Sequence, residues 1–319
     1  MYQLIKVFAW LAFPVYCRKI KIINRQLLQY RGGPVLLAVN HPNSFLDAII
    51  LCTLFDAPLH SLARGDVFKR KAIRRILTAL HMLPVYRESE GIENIDENYK
   101  TFDGCKKIFK TKGIVLIFTE GLCINEWHLR PLKKGTARLA ISCWEDGIPL
   151  QILPVGINYS SFHKFGKNIH LQLGEFITAK SIENSNSHGQ SIQAVNQKIK
   201  EQLQQFVFEI DATDHATIQR VFFVPQSMLK KIILFIPSII GWLLHAPIYY
   251  PIKKGVLKKS VKTDHFDSIL ISVFFLVYPL YLLLITSLAW LLTHHWLSLG
   301  ILLILPFTAW AHVQLKKQL

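Results

Sequence analysis

The run from Ile269 to Leu292 (ILISVFFLVYPLYLLLITSLAWLL) holds 24 residues and no charged side chain. A helix needs about 20 such residues to cross the hydrocarbon core of a bilayer. Inside that core every backbone N–H and C=O must be satisfied within the protein, which restricts a run of this length to helix. Leu297 to Val313 is shorter and also uncharged, with Thr293, His294, His295 and Trp296 as a tight connection between the two. The pattern predicts a transmembrane hairpin over 269–313.

A third uncharged segment, Ile232 to Tyr250, carries Pro237 and Pro247, which break or kink a plain helix. Basic residues flank it on both sides: Lys230 and Lys231 before it, and Lys253, Lys254, Lys258, Lys259 and Lys262 after it. Cytoplasmic loops carry the excess of Lys and Arg, and one full crossing would move one cluster to the opposite face. A segment over 232–250 that enters and returns, or that lies in the interface, keeps both clusters cytoplasmic. The hairpin then brings Lys316 and Lys317 back to the same side. Residues 226–319 are therefore expected to form a helical membrane region.

The first ~225 residues mix charged, polar and apolar segments as an independent domain does. Leu4 to Tyr16 is apolar, rich in aromatic residues, and followed by Arg18, Lys19, Lys21 and Arg25. A cleaved leader has its charge before its apolar core, so residues 1–28 are expected to form an amphipathic interfacial anchor facing anionic lipid. The formal net charge is +16. Its basic residues are interleaved with membrane segments, and no stacking motif or finger spacing accompanies them, which points to membrane lipid rather than nucleic acid. The five cysteines are scattered and never form a C-x-x-C pair, so neither a zinc site nor a disulfide framework is expected. The chain reads as facing a reducing cytoplasm.

Within 29–225, apolar strand-like runs alternate with helical stretches. Pro34 to Asn40 reads as a buried strand and Ala48 to Phe55 as an apolar helix. His41 falls at the junction, with Asp47 six residues on. Asn43 or Ser44 is placed to cap the helix, which would hold Asp47 in or near its first turn. Two readings of the pair stand at this point. One is a capped helix with a structural histidine beside it. The other is a base, with the carboxylate fixing Nδ1–H and Nε2 left to take a proton from a hydroxyl. Further along, a short strand ends on Arg87, and the strand Ile114 to Thr119 runs into Glu120 and Gly121. Arg130, Lys133 and Lys134 then lead through Gly135 into a helix, and Pro149 to Tyr159 forms another strand carrying Pro154. Strand ends bearing charge mark the active edge of an α/β layer.

NHPNSFLD, PVYRES, FTEG and LPVGINY resemble, in order and spacing, the four sequence blocks of the glycerolipid acyltransferase family. That family includes lysophosphatidate and glycerol-3-phosphate acyltransferases, and the resemblance spans roughly Pro34 to Glu175. It implies an α/β domain with a mixed sheet flanked by helices, in which His41 is the general base and Asp47 its orienting carboxylate. It further implies that Arg87 binds the acceptor's phosphate, that Glu120 and Gly121 form the third block, and that Pro154 lies near the acyl tunnel. The acyl donor would be acyl-CoA or acyl-carrier protein as co-substrate, with no bound cofactor and no metal. The acceptor would be glycerol-3-phosphate or 1-acyl-glycerol-3-phosphate, in phospholipid biosynthesis at a membrane, with the catalytic domain facing the cytoplasm. Two departures from the pattern matter. Five residues separate His41 from Asp47 where four are commonest, as in a branch similar to glycerol-3-phosphate acyltransferases. Cys123 stands where an arginine commonly follows the glycine, and Arg130, Lys133 or Lys134 would have to replace its charge, although an ammonium does not reproduce a guanidinium fork. This altered block keeps open an acceptor of another kind, such as a lysolipid with an amino-acid headgroup. A lipid-binding protein that retains the fold without catalysis is the reading from outside the enzyme class.

Overall fold

The computed structural model of the protein describes residues 1–86, 95–182, 187–260 and 263–318. The chain opens with helix α1 (Tyr2–Tyr16), which passes directly into strand β1 (Cys17–Ile23). Then come β2 (Val35–Val39), α2 (Phe45–Leu54), β3 (Leu59–Arg64), α3 (Lys71–Ala79), β4 (Met82–Val85), α4 (Ile95–Lys110), β5 (Ile114–Phe118) and α5 (Gly135–Glu145). β6 (Gln151–Tyr159), β7 (Lys167–Leu173), α6 (His188–Phe206) and α7 (His215–Phe222) complete the α/β part.

The seven strands form one sheet in the order β1-β7-β6-β2-β5-β3-β4. Among the described strands only the β6/β7 pairing is antiparallel, so the sheet is mixed, as expected. β2 lies at its centre, paired with β5 on one side and β6 on the other. Alternation in VLLAV decides which layer each side chain enters. Val35, Leu37 and Val39 pack with α1 and α2, whereas Leu36 and Ala38 pack with α4, α5 and α6. A strand buried on both faces reads as a continuous apolar run, which is why this one was legible in the sequence.

The N-terminal helix is shorter than the anchor expected over 1–28. It ends at Tyr16, and Cys17 to Ile23 form an edge strand of the sheet, paired with β7. Arg18 does not face lipid. It is buried, and its guanidinium donates to the carbonyls of Val313 (2.9 Å), Gln314 (3.2 Å) and Lys316 (2.7 Å). These belong to the end of helix α10 (Ile301–Leu315), where the last carbonyls have no intrahelical donor. Burial, with Arg18, Lys253, Lys167 and Lys164 nearby, lowers the Lys316 pKa from 10.5 to about 8. Below that value both folded and unfolded chains hold the proton and the folded state bears the full cost. Between about 8 and 10.5 only the folded chain releases it, so stability rises with pH across this window. Thermal unfolding in detergent is expected to show that rise in the wild type and a flatter profile in Lys316→Met; parallel profiles would contradict the assignment.

Among the described residues three helices are long and apolar enough to cross a membrane: α8 (Met228–Ser260), α9 (Phe266–Thr293), and the segment Trp296–Leu315 that contains α10. The link from α9 turns at His294, which is left-handed at φ 49°. The hairpin both leaves and rejoins the α/β domain: Asp267 near its start contacts Lys167, and α10 ends on Arg18. The expected break at the prolines of 232–250 does not occur: α8 is one continuous helix through Pro237, Pro247 and Pro251. Neighbouring helices occupy the backbone around the prolines. The Tyr281 hydroxyl donates to the Leu244 carbonyl (2.6 Å), and Gly241 lies so close to α10 that a Cβ there would be 2.0 Å from the Thr308 carbonyl oxygen. Prolines persist in membrane helices under such support. Both ends of α8 meet the α/β domain or its attachments. Gln226 and Lys230 reach Gln314 beside Arg18, and the chain after Ser260 leads to Asp264, which accepts from the Asn125 N–H. Both ends of α8 therefore lie beside the α/β domain.

Candidate active site

Strand β2 ends at Val39, and Asn40 extends its pairing to β6 with a side chain instead of a backbone. Asn40 Oδ1 accepts from the Ile157 N–H (2.8 Å) and its Nδ2 donates to the Ile157 carbonyl (3.0 Å). This clamp fixes the chain where His41 leaves the sheet. The His41 backbone N–H donates to Glu120 Oε2 at 2.8 Å, and its ring stacks on Phe118, the last residue of β5, at 3.7 Å and 10°.

The helix start does not follow the expected cap. Ser44 is the N-cap residue but its side chain makes no capping bond, and its backbone is left-handed (φ 54°, ψ −145°). The Ser44 N–H instead donates to Cys123 Sγ (2.8 Å). Asp47, in the first turn of α2, turns back over the loop. Its Oδ2 accepts from the Asn43 N–H (2.9 Å) and lies 2.9 Å from His41 Nδ1. Its Oδ1 accepts from the Tyr159 hydroxyl (2.6 Å). Asp47 is wholly buried, while the His41 side chain keeps 17% of its exposure. A carboxylate held by two other donors directs Nδ1–H of the imidazole at itself, which leaves Nε2 as the nitrogen free to exchange a proton.

His41, Ser44 and Phe45 line a cavity of about 2030 Å³ that runs between α1, α2 and α3. Its walls are mainly apolar, including Ile49, Leu77 and Phe102, and Lys133 and Lys134 line it too. Pockets for small ligands are commonly about 300–1,000 Å³, so this one has room for a long chain. Gly121 is left-handed (φ 68°), and a Cβ there would stand 3.0 Å from Lys133 Cγ. The glycine thus lets the lysine stem cross beside the Glu120 loop.

Glu120 is buried and accepts from two backbone N–H groups, those of His41 and of Arg130 (3.0 Å). Burial raises its pKa above the ordinary carboxylate value, and those two donors oppose the rise. It joins the His41 loop to the 126–132 loop. Burial, with Asp47 beside it, pushes the Cys123 thiol well above its ordinary range, and a neutral thiol is a poor nucleophile.

Residues 19–158 match the family model described as Acyltransferase. This segment is similar to acyltransferase-family domains. Among solved structures, the 1-acyl-sn-glycerophosphate (LPA) acyltransferase PlsC from Thermotoga maritima is similar to this chain with a TM-score of 0.47 and 15% identity, over 66% of this chain and 80% of that one. No curated protein matches the chain.

In the α/β domain, the structure brings His41, Asp47, Glu120, Gly121 and Lys133 to one end of the sheet. Arg130 lies apart from the cavity. Its guanidinium pairs with Glu126 (2.8 Å) and borders a separate cleft against α6 that also includes Gln193 and Lys200. Pro154 is buried inside the sheet opposite Ala38 and does not line the cavity. Arg87 is outside the described residues. Among those residues no group of three or more His, Cys, Asp or Glu is placed to hold a metal ion.

Sequence reasoning missed two site residues and gave a third, Asn43, only a capping role. Tyr159 closes the fourth block, LPVGINY, and its place at a strand end was the available signal. Asp267 was the other. Asn43 Nδ2 donates to Asp267 Oδ2 (3.0 Å), as does the Tyr16 hydroxyl (3.3 Å), and the Lys167 ammonium contacts the same oxygen. Lys167 and Asp267 side chains are wholly buried. An ionisable residue at the start of a membrane helix is a signal for function, and Asp267 had that signal.

Proposed function

We propose that the protein is a membrane-bound O-acyltransferase that moves a fatty acyl group from acyl-CoA or acyl-carrier protein to the hydroxyl of glycerol-3-phosphate or 1-acyl-glycerol-3-phosphate. The observation that carries this reading is the His41–Asp47 pair at the wall of a large, mainly apolar cavity that also contains Lys133 and Lys134. The acceptor hydroxyl oxygen attacks the thioester carbonyl while Nε2 of His41 takes its proton. Asp47 stabilises the imidazolium. The tetrahedral adduct collapses with cleavage of the C–S bond, and the proton returns to the departing sulfur, giving an ester and a free thiol. Lys133 and Lys134 hold the acceptor's phosphate, and the apolar walls take the acyl chain. Basic clusters on the domain side orient the catalytic domain to the cytoplasm.

Purified protein in detergent, supplied with acyl-CoA and each acceptor in turn, is expected to release CoA thiol with a phosphorylated acceptor. No release with either carrier and either acceptor would overturn the reading. Lys133→Ala is expected to raise the acceptor KM by about tenfold while leaving the thioester KM nearly unchanged. The opposite split would assign Lys133 to the donor.

A second reading rests on Cys123 occupying the third block without a guanidinium, and on Arg130 being engaged with Glu126. It takes a lysolipid with an amino-acid headgroup as acceptor. Turnover with such a lysolipid and none with glycerol-3-phosphate or its 1-acyl ester would establish it.

A further inference from the structure

Helix α3 stands out because none of its residues is buried. Ile73, Ile76, Leu77 and Leu80 recur at helical spacing on one face, and Lys71, Arg74 and Arg75 occupy the other, following Lys69 and Arg70. All five cations are exposed, and none forms an ion pair among the described residues. The apolar face is only half covered. Ile73, Leu77 and Leu80 line the cavity shared with His41, yet Ile73 is 38% exposed, Ile76 50% and the preceding Val67 42%. A nine-residue helix with little tertiary packing is unstable in water by itself. It needs a further surface.

The neighbourhood identifies that surface. The helix leads into His81, whose ring stacks on Tyr2 at the start of α1 (4.6 Å). α1 in turn leaves Leu4, Val7, Trp10 and Leu11 exposed, and its Phe8 ring meets Phe275 of the membrane helix α9 (6.1 Å). α1 thus joins α9 to α3 through ring contacts, and all three helices carry exposed apolar side chains. We infer that α3 is an interfacial helix that docks on an anionic bilayer surface, its five cations on lipid phosphates and its apolar face on the acyl region, so that the cavity opens directly to the membrane at this helix. An acidic carrier protein would match the charge but would leave Ile73, Ile76 and Val67 without an apolar partner, so the bilayer is the better occupant. Interfacial helices combine both features, an apolar face and basic flanks.

The test needs no turnover and stands apart from the proposed reaction. The full chain is placed in nanodiscs of phosphatidylcholine alone or with about one-third phosphatidylglycerol, and hydrogen exchange is followed over Lys71–Ala79. Exchange there is expected to slow about tenfold in the anionic discs, with β2 and α5 unchanged, since each cation near an anionic surface lengthens residence on it. Equal exchange in the two lipids would overturn the inference. Protection given by an acidic acyl-carrier protein added to phosphatidylcholine discs, and not by anionic lipid, would also overturn it and make α3 a carrier dock. The variant Arg70→Gln/Lys71→Gln/Arg74→Gln/Arg75→Gln removes no buried contact and is expected to lose the lipid-dependent protection. Its persistence in that variant would show that the cations are not what binds.

Discussion

Replacement of His41 by alanine is expected to lower kcat by about 10²–10⁴-fold, the range that a positioned general base contributes. The side chain is partly exposed and its ring rests on Phe118, so its loss opens the cavity wall without cutting the sheet. The loop is held independently, by Asn40 on Ile157 and by the His41 backbone N–H on Glu120. Folding and membrane extraction should therefore match the wild type, and KM for both substrates should change little, because the lost interaction forms in the transition state. Thiol release, measured with detergent-purified variant and wild type at equal folded concentration, decides the matter. Unchanged turnover would remove His41 from the reaction. Asp47→Asn makes a sharper companion. Its amide keeps one acceptor for the Tyr159 hydroxyl or the Asn43 N–H but no longer stabilises an imidazolium, so kcat should fall with the fold intact.

Lys167→Met is expected to be the most destabilising single change. Lys167 and Asp267 are both fully buried and in contact, and removing one partner of such a pair leaves an uncompensated charge at a cost of about 3–5 kcal/mol. For a chain of this size that corresponds to a fall of about 10 °C in Tm. Asn43 and Tyr16 still donate to Asp267, but they do not neutralise it. The double variant Lys167→Met/Asp267→Asn removes both charges while keeping an acceptor for Asn43, and it should recover most of the lost stability. A single variant as stable as the wild type, or a double variant no better than the single, would contradict the pairing. Turnover should track the same pattern, because Asn43 binds Asp267 through its side chain and Asp47 through its backbone.

What could be read from the sequence follows from where each segment lies. β2, β5 and β6 are central strands flanked on both sides, so PVLLAVN, IVLIFT and PLQILPVGINY carry long apolar signals. β1 and β7 are at and next to an edge, where CRKIKII and KNIHLQL alternate polar and apolar residues over a few positions, and in β3 His60, Ser61 and Arg64 interrupt the apolar residues. Such strands exist because neighbours pair with them, a property that local pattern does not encode. His41 and Asp47 were legible because they are six residues apart. Tyr159 and Asp267 were not, since they join Asp47 and Asn43 across 112 and 224 residues. Arg18 was misplaced for the same reason: its surroundings in sequence are a basic cluster, while its partners are carbonyls some 296 residues away.

That last contact bears on the order in which the protein is made. β1 is the first strand synthesised, yet its buried guanidinium has no acceptors until α10 has been translated, inserted and folded back against the domain. Until then Arg18 lacks the carbonyls that hold it, and β1 is a sheet edge held by β7 alone, an open rim. Maturation of the α/β domain is thereby tied to completion of its long apolar helices, and a nascent chain stalled before α10 should display β1 as a more exposed, protease-sensitive segment.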